Sequence, residues 1–188
     1  LPEGVTHLRV VLEWHPRAVP GITGTNDLSL TLFDPGGARG AGHNRPNSTI
    51  ELSATRATPG YLPGPLPAGP WLVVLDTHMI VAPLTYSIVV DASFTPTVET
   101  GPHWAEGQTA ARGPGWYRGD LHSHTLHSDG DWDIPDLIEA AHRQHLDFLF
   151  LTDHNTVSGH AQLRSLASDE LLTACGLELT TYYGHALA

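Results

Sequence analysis

The chain has 188 residues, with 20 Asp and Glu, 13 His and nine basic side chains that are all arginine, giving a formal charge of −11. The lack of lysine excludes a phosphate-binding P-loop and Schiff-base or pyridoxal-anchoring chemistry, and the acidic balance argues against a nucleic-acid polymer as partner, because phosphate neutralisation needs clustered Lys and Arg. No apolar run reaches the ~20 residues of a membrane-spanning helix, the lone Cys175 cannot close an internal disulfide, and a chain that begins at Leu1 leaves the cellular compartment unread.

From Thr6 to Phe94 the pattern is one of short alternating strands between turn residues. In His7 to Trp14 the side chains of Leu8, Val10, Leu12 and Trp14 share one face, and in Leu28 to Asp34 so do Leu28, Leu30 and Leu32. Further strands are expected over 48–53, 71–76 and 86–94. The glycine cluster 36–42 lacks nucleotide-binding spacing and follows Asp34-Pro35, so it is expected as a hairpin loop. The sum predicts an antiparallel β-sandwich, jelly-roll-like, over residues 1–95. Asn47-Ser48-Thr49 forms a glycosylation sequon, as easily by chance as by design.

Residues 96–115 are rich in Gly and Pro with almost no apolar periodicity, which predicts a linker. After it the pattern becomes parallel α/β. A strand ends near His122; a helix runs to about Gln144 with Asp133 as N-cap and Pro135 in its first turn. A near-continuous apolar run, 147–154, suggests a strand buried on both faces. A second helix is expected over Ser158 to Leu166 and a third strand over Leu171 to Thr181. In such folds ligands gather at the carboxyl ends of the strands. Residues 96–188 carry thirteen acids and four arginines, a net −9, so this is where cations are wanted.

Three segments at those strand ends bear metal-ligand chemistry: GDLHSHTLHSDG from Gly119 to Gly130, LTDHN from Leu151 to Asn155, and GLELTTYYGH from Gly176 to His185. Strand alternation puts His122 and His124 on one face, and Asp129 follows in a Gly-terminated turn that can swing it back to the same ion. His154 ends a buried strand, where an ionisable ring needs a charged or hydrogen-bonding partner. Asp153 points the other way and is read as a group that steadies the turn. Glu178 stands at the end of the third strand, and His185 follows Gly184, whose missing side chain permits close approach.

These segments resemble the first three motifs of the PHP (polymerase and histidinol phosphatase) superfamily of metallohydrolases, over about 72 residues from Tyr117 onward. The Thr-Thr-x-x-Gly-His ending and the β-rich first half are most similar to its CehA/McbA branch, named for carbaryl hydrolases. The resemblance implies metal ligation by His122, His124, Asp129, His154, Glu178 and His185, with Glu178 bridging. It implies a distorted TIM-like α/β barrel of which residues 116–188 are the first part, because the family's later histidine and Asp-x-His pair would lie beyond Ala188. Two or three divalent ions (Mn²⁺, Fe²⁺ or Zn²⁺) and a bridging hydroxide would hydrolyse a small-molecule phosphoester or, following the branch, a carbamate, ester or amide. Mixed imidazole and carboxylate donors suit these metals better than Mg²⁺ or Ca²⁺.

Other features have competing readings. His127, inside the first motif, and His160, just past the second, are the candidates for catalytic contact with substrate, the alternative being a structural role. His142 and His145 suit the carboxyl end of the first helix. Asp129, Asp131 and Asp133 begin like a calcium loop but have Ile134 where its glycine belongs. Cys175 reads as an inert thiol within a strand. A different class of function is carbohydrate or partner binding by the first domain through Trp14, Tyr61 and Trp71, if these are on its surface.

Overall fold

The chain is predominantly β, and its alternation of apolar residues is realised strand by strand. In β1 (His7–His15) the side chains of Leu8, Val10, Leu12 and Trp14 are buried while the intervening residues are not. The other strands of the first half are β2 (Asp27–Asp34), β3 (Gly37–Ala41), β4 (Thr49–Ser53), β5 (Leu72–Met79) and β6 (Thr85–Ser93). They form two antiparallel three-stranded sheets, β4-β1-β6 and β3-β2-β5. Both sheets contribute to one apolar cluster, built from the Leu8, Val10, Leu12 face of β1, the Leu28, Leu30, Leu32 face of β2, and Ile50 and Leu52 of β4. Tyr61 closes this cluster, its hydroxyl donating to the Leu30 carbonyl at 2.7 Å, and burial raises its pKa above the ordinary range.

The computed structural model describes residues 1–43, 49–95 and 113–188. The expected linker, apart from its last residues 113–115, and the sequon at Asn47 and Ser48 lie outside the described residues. The chain divides into two units, Leu1–Gly101 and Pro102–Ala188.

The glycine run 36–42 is not only a loop. Pro35 and Gly36 make the turn, with Asp34 Oδ1 accepting from the Gly36 and Gly37 amides at 2.6 and 2.9 Å, and the rest is β3, paired to β2. Glycine serves here for close approach, since a Cβ on Gly40 would stand 2.2 Å from the Gly60 carbonyl oxygen.

In the second unit β7 (Gly119–Ser123), β8 (Phe148–Leu151) and β9 (Leu172–Cys175) form a parallel sheet in that order. Helices α1 (Ile134–Arg143) and α2 (His160–Ser165) connect them. Asp133 caps α1 as expected, its side chain accepting from the Asp136 amide at 2.9 Å, and Pro135 lies in the first turn. Ile134, Ile138 and Ala141 of α1, Leu163 of α2 and Leu149 and Leu151 of β8 pack into one core. Only that face of β8 is deeply buried; Phe148 and Phe150 on the other are half-covered, contrary to a strand buried on both sides.

The expected third strand is two elements. Leu172–Cys175 continues the parallel sheet, and after Gly176 and Leu177 the chain re-forms as β10 (Glu178–Thr181), which pairs antiparallel with β11 (Gly184–Leu187). The described strands make small open sheets, and a closed barrel is not among them. No helix among the described residues is long and apolar enough to cross a membrane.

Leu32 has no exposed surface, so Leu32→Ala is expected to cost about 2–5 kcal/mol through lost burial and the cavity left behind. Asp133→Ala, which removes one cap from an exposed helix end, should cost about 1 kcal/mol. Urea titration of both variants measures the two losses, and their order is the test: an Asp133→Ala effect as large as that of Leu32→Ala would contradict this placement of the core.

Candidate metal centre

The carboxyl ends of β7 and β8 and the start of β10 bring the polar segments together. Glu178 is buried at 4 % exposure, and imidazoles surround its carboxylate. Oε2 lies 2.8 Å from His122 Nε2, 3.0 Å from His124 Nε2 and 3.5 Å from His154 Nδ1, while Oε1 lies 2.7 Å from His185 Nδ1. Asp129 sits across the cluster, 3.7 Å from His124 Nδ1 and 3.4 Å from His154 Nε2. The rings pack in a row, with centroids 4.8 Å apart for His122 and His124, 4.5 Å for the stacked His124 and His154, and 5.1 Å for His154 and His185.

Local structure explains the convergence. The loop after β7 folds back through hydrogen bonds from the Ser128 and Gly130 amides to the Thr125 carbonyl, at 2.9 and 3.0 Å. A Cβ on Gly130 would stand 2.5 Å from the His124 carbonyl group, so glycine alone lets the loop close this tightly and return Asp129 beside His124. Asp153 holds that loop, as its orientation away from His154 suggested. Fully buried, it accepts from the Thr125 amide (2.8 Å), the Thr125 hydroxyl (2.8 Å) and the Ser128 hydroxyl (2.6 Å).

On the other side the β10–β11 hairpin sets His185 opposite Thr180, within reach of Glu178. Gly184 serves this turn differently from expectation. A Cβ there would meet nothing within 4 Å, and the residue is required for its φ of +139°, which other side chains rarely adopt.

Electrostatic shifts are resolved for two residues of the cluster, Glu178 and His154. Burial pushes the Glu178 carboxyl up, but hydrogen bonds from His122 and His185 and the nearby His154 and His122 charges outweigh it, and its pKa falls below the ordinary value. Burial lowers the pKa of His154 against the opposing pull of Asp129 and Glu178. An ionised carboxylate offers lone pairs to a cation, as an imidazole does in its neutral form.

The donor atoms are close enough together to share a cation. Donor atoms around one tetrahedral ion with bonds of about 2.0–2.1 Å stand roughly 3.4 Å apart; the separation of Glu178 from His154 is of that size, while His122, His124 and His185 stand at the 2.7–3.0 Å of hydrogen bonds and would have to move apart around an ion. Two triads, His122-His124-Glu178 and His154-Glu178-His185, each present one donor atom per residue within 4.8 Å of one another, and Glu178 belongs to both. Those five residues meet at Glu178, and Asp129, the sixth expected ligand, stands beside His124 and His154.

The two expected substrate contacts are engaged locally. His127 Nδ1 lies 2.7 Å from Ser158 Oγ, and His160 Nε2 donates to the Gly176 carbonyl at 2.8 Å. Neither belongs to the donor triads among the described residues. Cys175 is half-buried in β9. Of the aromatics considered as a binding surface, Trp14 and Tyr61 are core residues, and the half-covered Trp71 donates its indole N–H to the Pro67 carbonyl at 3.0 Å.

Sequence reasoning passed over Thr125, Ser128, Asn155 and Thr180. Thr180 hydrogen-bonds His154 Nδ1, leaving Nε2 as the nitrogen turned to Asp129. Its place two residues after Glu178 on one strand face was a usable signal; for the serine and threonine in the β7 loop no such periodicity exists. Comparison with protein-family models, with curated proteins and with solved structures finds no match.

His160 supplies a pH test outside the cluster. Burial lowers its pKa below 6.5, against the raising effect of its bond to Gly176. The unfolded chain therefore takes up this proton first, and the stability present above pH 6.5 is lost as pH falls through the folded-state value. His160→Gln keeps a donor without a titrating ring, so urea titrations at pH 7.5 and 5.5 should differ less for the variant than for the parent. An equal or larger difference would contradict the burial of this ring.

Proposed function

We propose that the chain is a divalent-metal-dependent hydrolase of the PHP type, acting on phosphoesters. In this reading the first unit is a β-sandwich, and the parallel strands and helices of residues 116–188 are the opening units of the α/β barrel. The observation that carries it is the meeting of four imidazoles, from segments up to 63 positions apart, around the buried Glu178 carboxylate, with Asp129 beside two of them.

Glu178 and His154 form the floor of the centre, each with a side chain only 6 % exposed, while His122 and His185 are 47 and 45 % exposed. Substrate would reach the centre from that open side. Glu178 turns its two oxygens toward different imidazoles, which suits a carboxylate shared between two cations. His154 is held by Thr180, and Asp129 is held by the loop that Asp153 fastens, so both are oriented before a cation arrives. Ions such as Mn²⁺, Fe²⁺ or Zn²⁺, when bound, supply Lewis acidity and lower the pKa of a coordinated water toward ~7. Asp129 and Glu178 together contribute two negative charges, so two dications would leave the centre net positive and attractive to an anionic phosphoester. That balance favours phosphoester over carbamate hydrolysis, the second activity that the residue pattern suggests.

Two experiments test this. Elemental analysis of the purified protein should find divalent metal that is lost in His122→Ala, His154→Ala and Glu178→Ala; unchanged content in all three removes the site. On bis(p-nitrophenyl) phosphate and an aryl N-methylcarbamate, the phosphodiester should be the substrate turned over. Chelation should abolish turnover, and Glu178→Gln should lower kcat/KM by more than about 100-fold, beyond the loss typical of residues that only support ligands. Turnover of the carbamate alone would replace the phosphoesterase reading.

A further inference from the structure

Beside the centre, β8 and β10 are joined by an unusual splice. His154 and Glu178 form an isolated parallel bridge, in which the Glu178 amide donates to the Asp153 carbonyl at 3.3 Å and the Asn155 amide to the Glu178 carbonyl at 3.0 Å. Regular pairing cannot continue past that point, because Asn155 adopts a left-handed φ of +52° and its backbone turns away. Its side chain continues the ladder instead. Asn155 Nδ2 donates to the Thr180 carbonyl at 3.0 Å, and the Thr180 amide donates to Asn155 Oδ1 at 2.9 Å.

The carboxamide thus replaces one peptide unit of the missing strand. Asparagine meets both demands of the position: it carries a donor and an acceptor on a short side chain, and it tolerates left-handed backbone better than most residues. The segment it fastens carries Glu178, and it carries Thr180, whose hydroxyl holds His154 Nδ1. Asn155 is itself exposed, so its two bonds compete with water and add little to global stability.

We propose that Asn155 is a positioning residue of the metal centre: its side-chain amide fixes β10 against the end of β8, and so sets the Glu178-to-His154 separation on which cation affinity depends. This rests on the metal-centre reading above and adds to it a residue that touches no cation.

The test is a Zn²⁺ titration of the full chain against a chromophoric chelator, with thermal unfolding of the metal-free proteins measured in parallel. Asn155→Gly accepts the positive φ without strain and removes both side-chain bonds. Its metal-free unfolding should change little while its Zn²⁺ affinity falls about 10- to 100-fold, the range for residues that orient ligands. Asn155→Asp keeps the acceptor for the Thr180 amide but sets a carboxylate against the Thr180 carbonyl, so it should also bind more weakly; it carries the comparison if the glycine variant does not fold. Parent-like affinity in both variants overturns the inference and leaves the metal centre intact. Affinity lost only in step with metal-free stability makes Asn155 a general structural residue and also overturns it. Failure of the parent to bind Zn²⁺ removes the metal centre and the inference together.

Discussion

A carboxylate removed from water must be compensated by charge or hydrogen bonds, because burying it alone is prohibitively costly. Glu178 meets this constraint with four imidazoles, three of them within 3.0 Å, and the surrounding structure is arranged to deliver those rings. The β7 end brings His122 and His124, the β8 end His154, and the β10–β11 hairpin His185. In the proposed reading, a cation in their midst would share in that compensation.

The break at Gly176 and Leu177 is what makes the convergence possible. Had the apolar run from Leu171 to Thr181 continued as one strand of the parallel sheet, its end would have run on past the tips of β7 and β8. Instead the chain restarts as β10 at the level of His154, held by the His154–Glu178 bridge and by the Asn155 amide, and then doubles back through Gly184. Asp153 performs the matching task on the β7 loop. Support thus comes from residues adjacent in sequence to ligands but directed away from them, as is common where ligand geometry must be fixed before binding.

Much of this was legible in the residues themselves. Period-two alternation located β1 and β2 and their buried faces, the Asp133 and Pro135 pair located the start of α1, and the spacing of His122, His124 and Asp129 marked the first segment of the histidine cluster. What escaped has physical causes. An apolar run containing one glycine does not say whether it is one strand or two. The glycines of 36–42 look like loop until Gly40 is seen to admit a neighbouring backbone. Trp14 and Tyr61 have the same pattern whether they face solvent or core, and only packing decides. Asn155 gives no periodic signal, because its role depends on a left-handed backbone that the sequence does not announce.

The central claim is that Glu178 is shared by two cation positions, with His122 and His124 on one side and His154 and His185 on the other. Anomalous diffraction from crystals grown with Mn²⁺ or Zn²⁺ tests it most directly. The expected result is anomalous density in contact with both Glu178 oxygens, flanked by those pairs of imidazoles. Density bound only elsewhere on the chain, or none near Glu178 at millimolar metal, would contradict it.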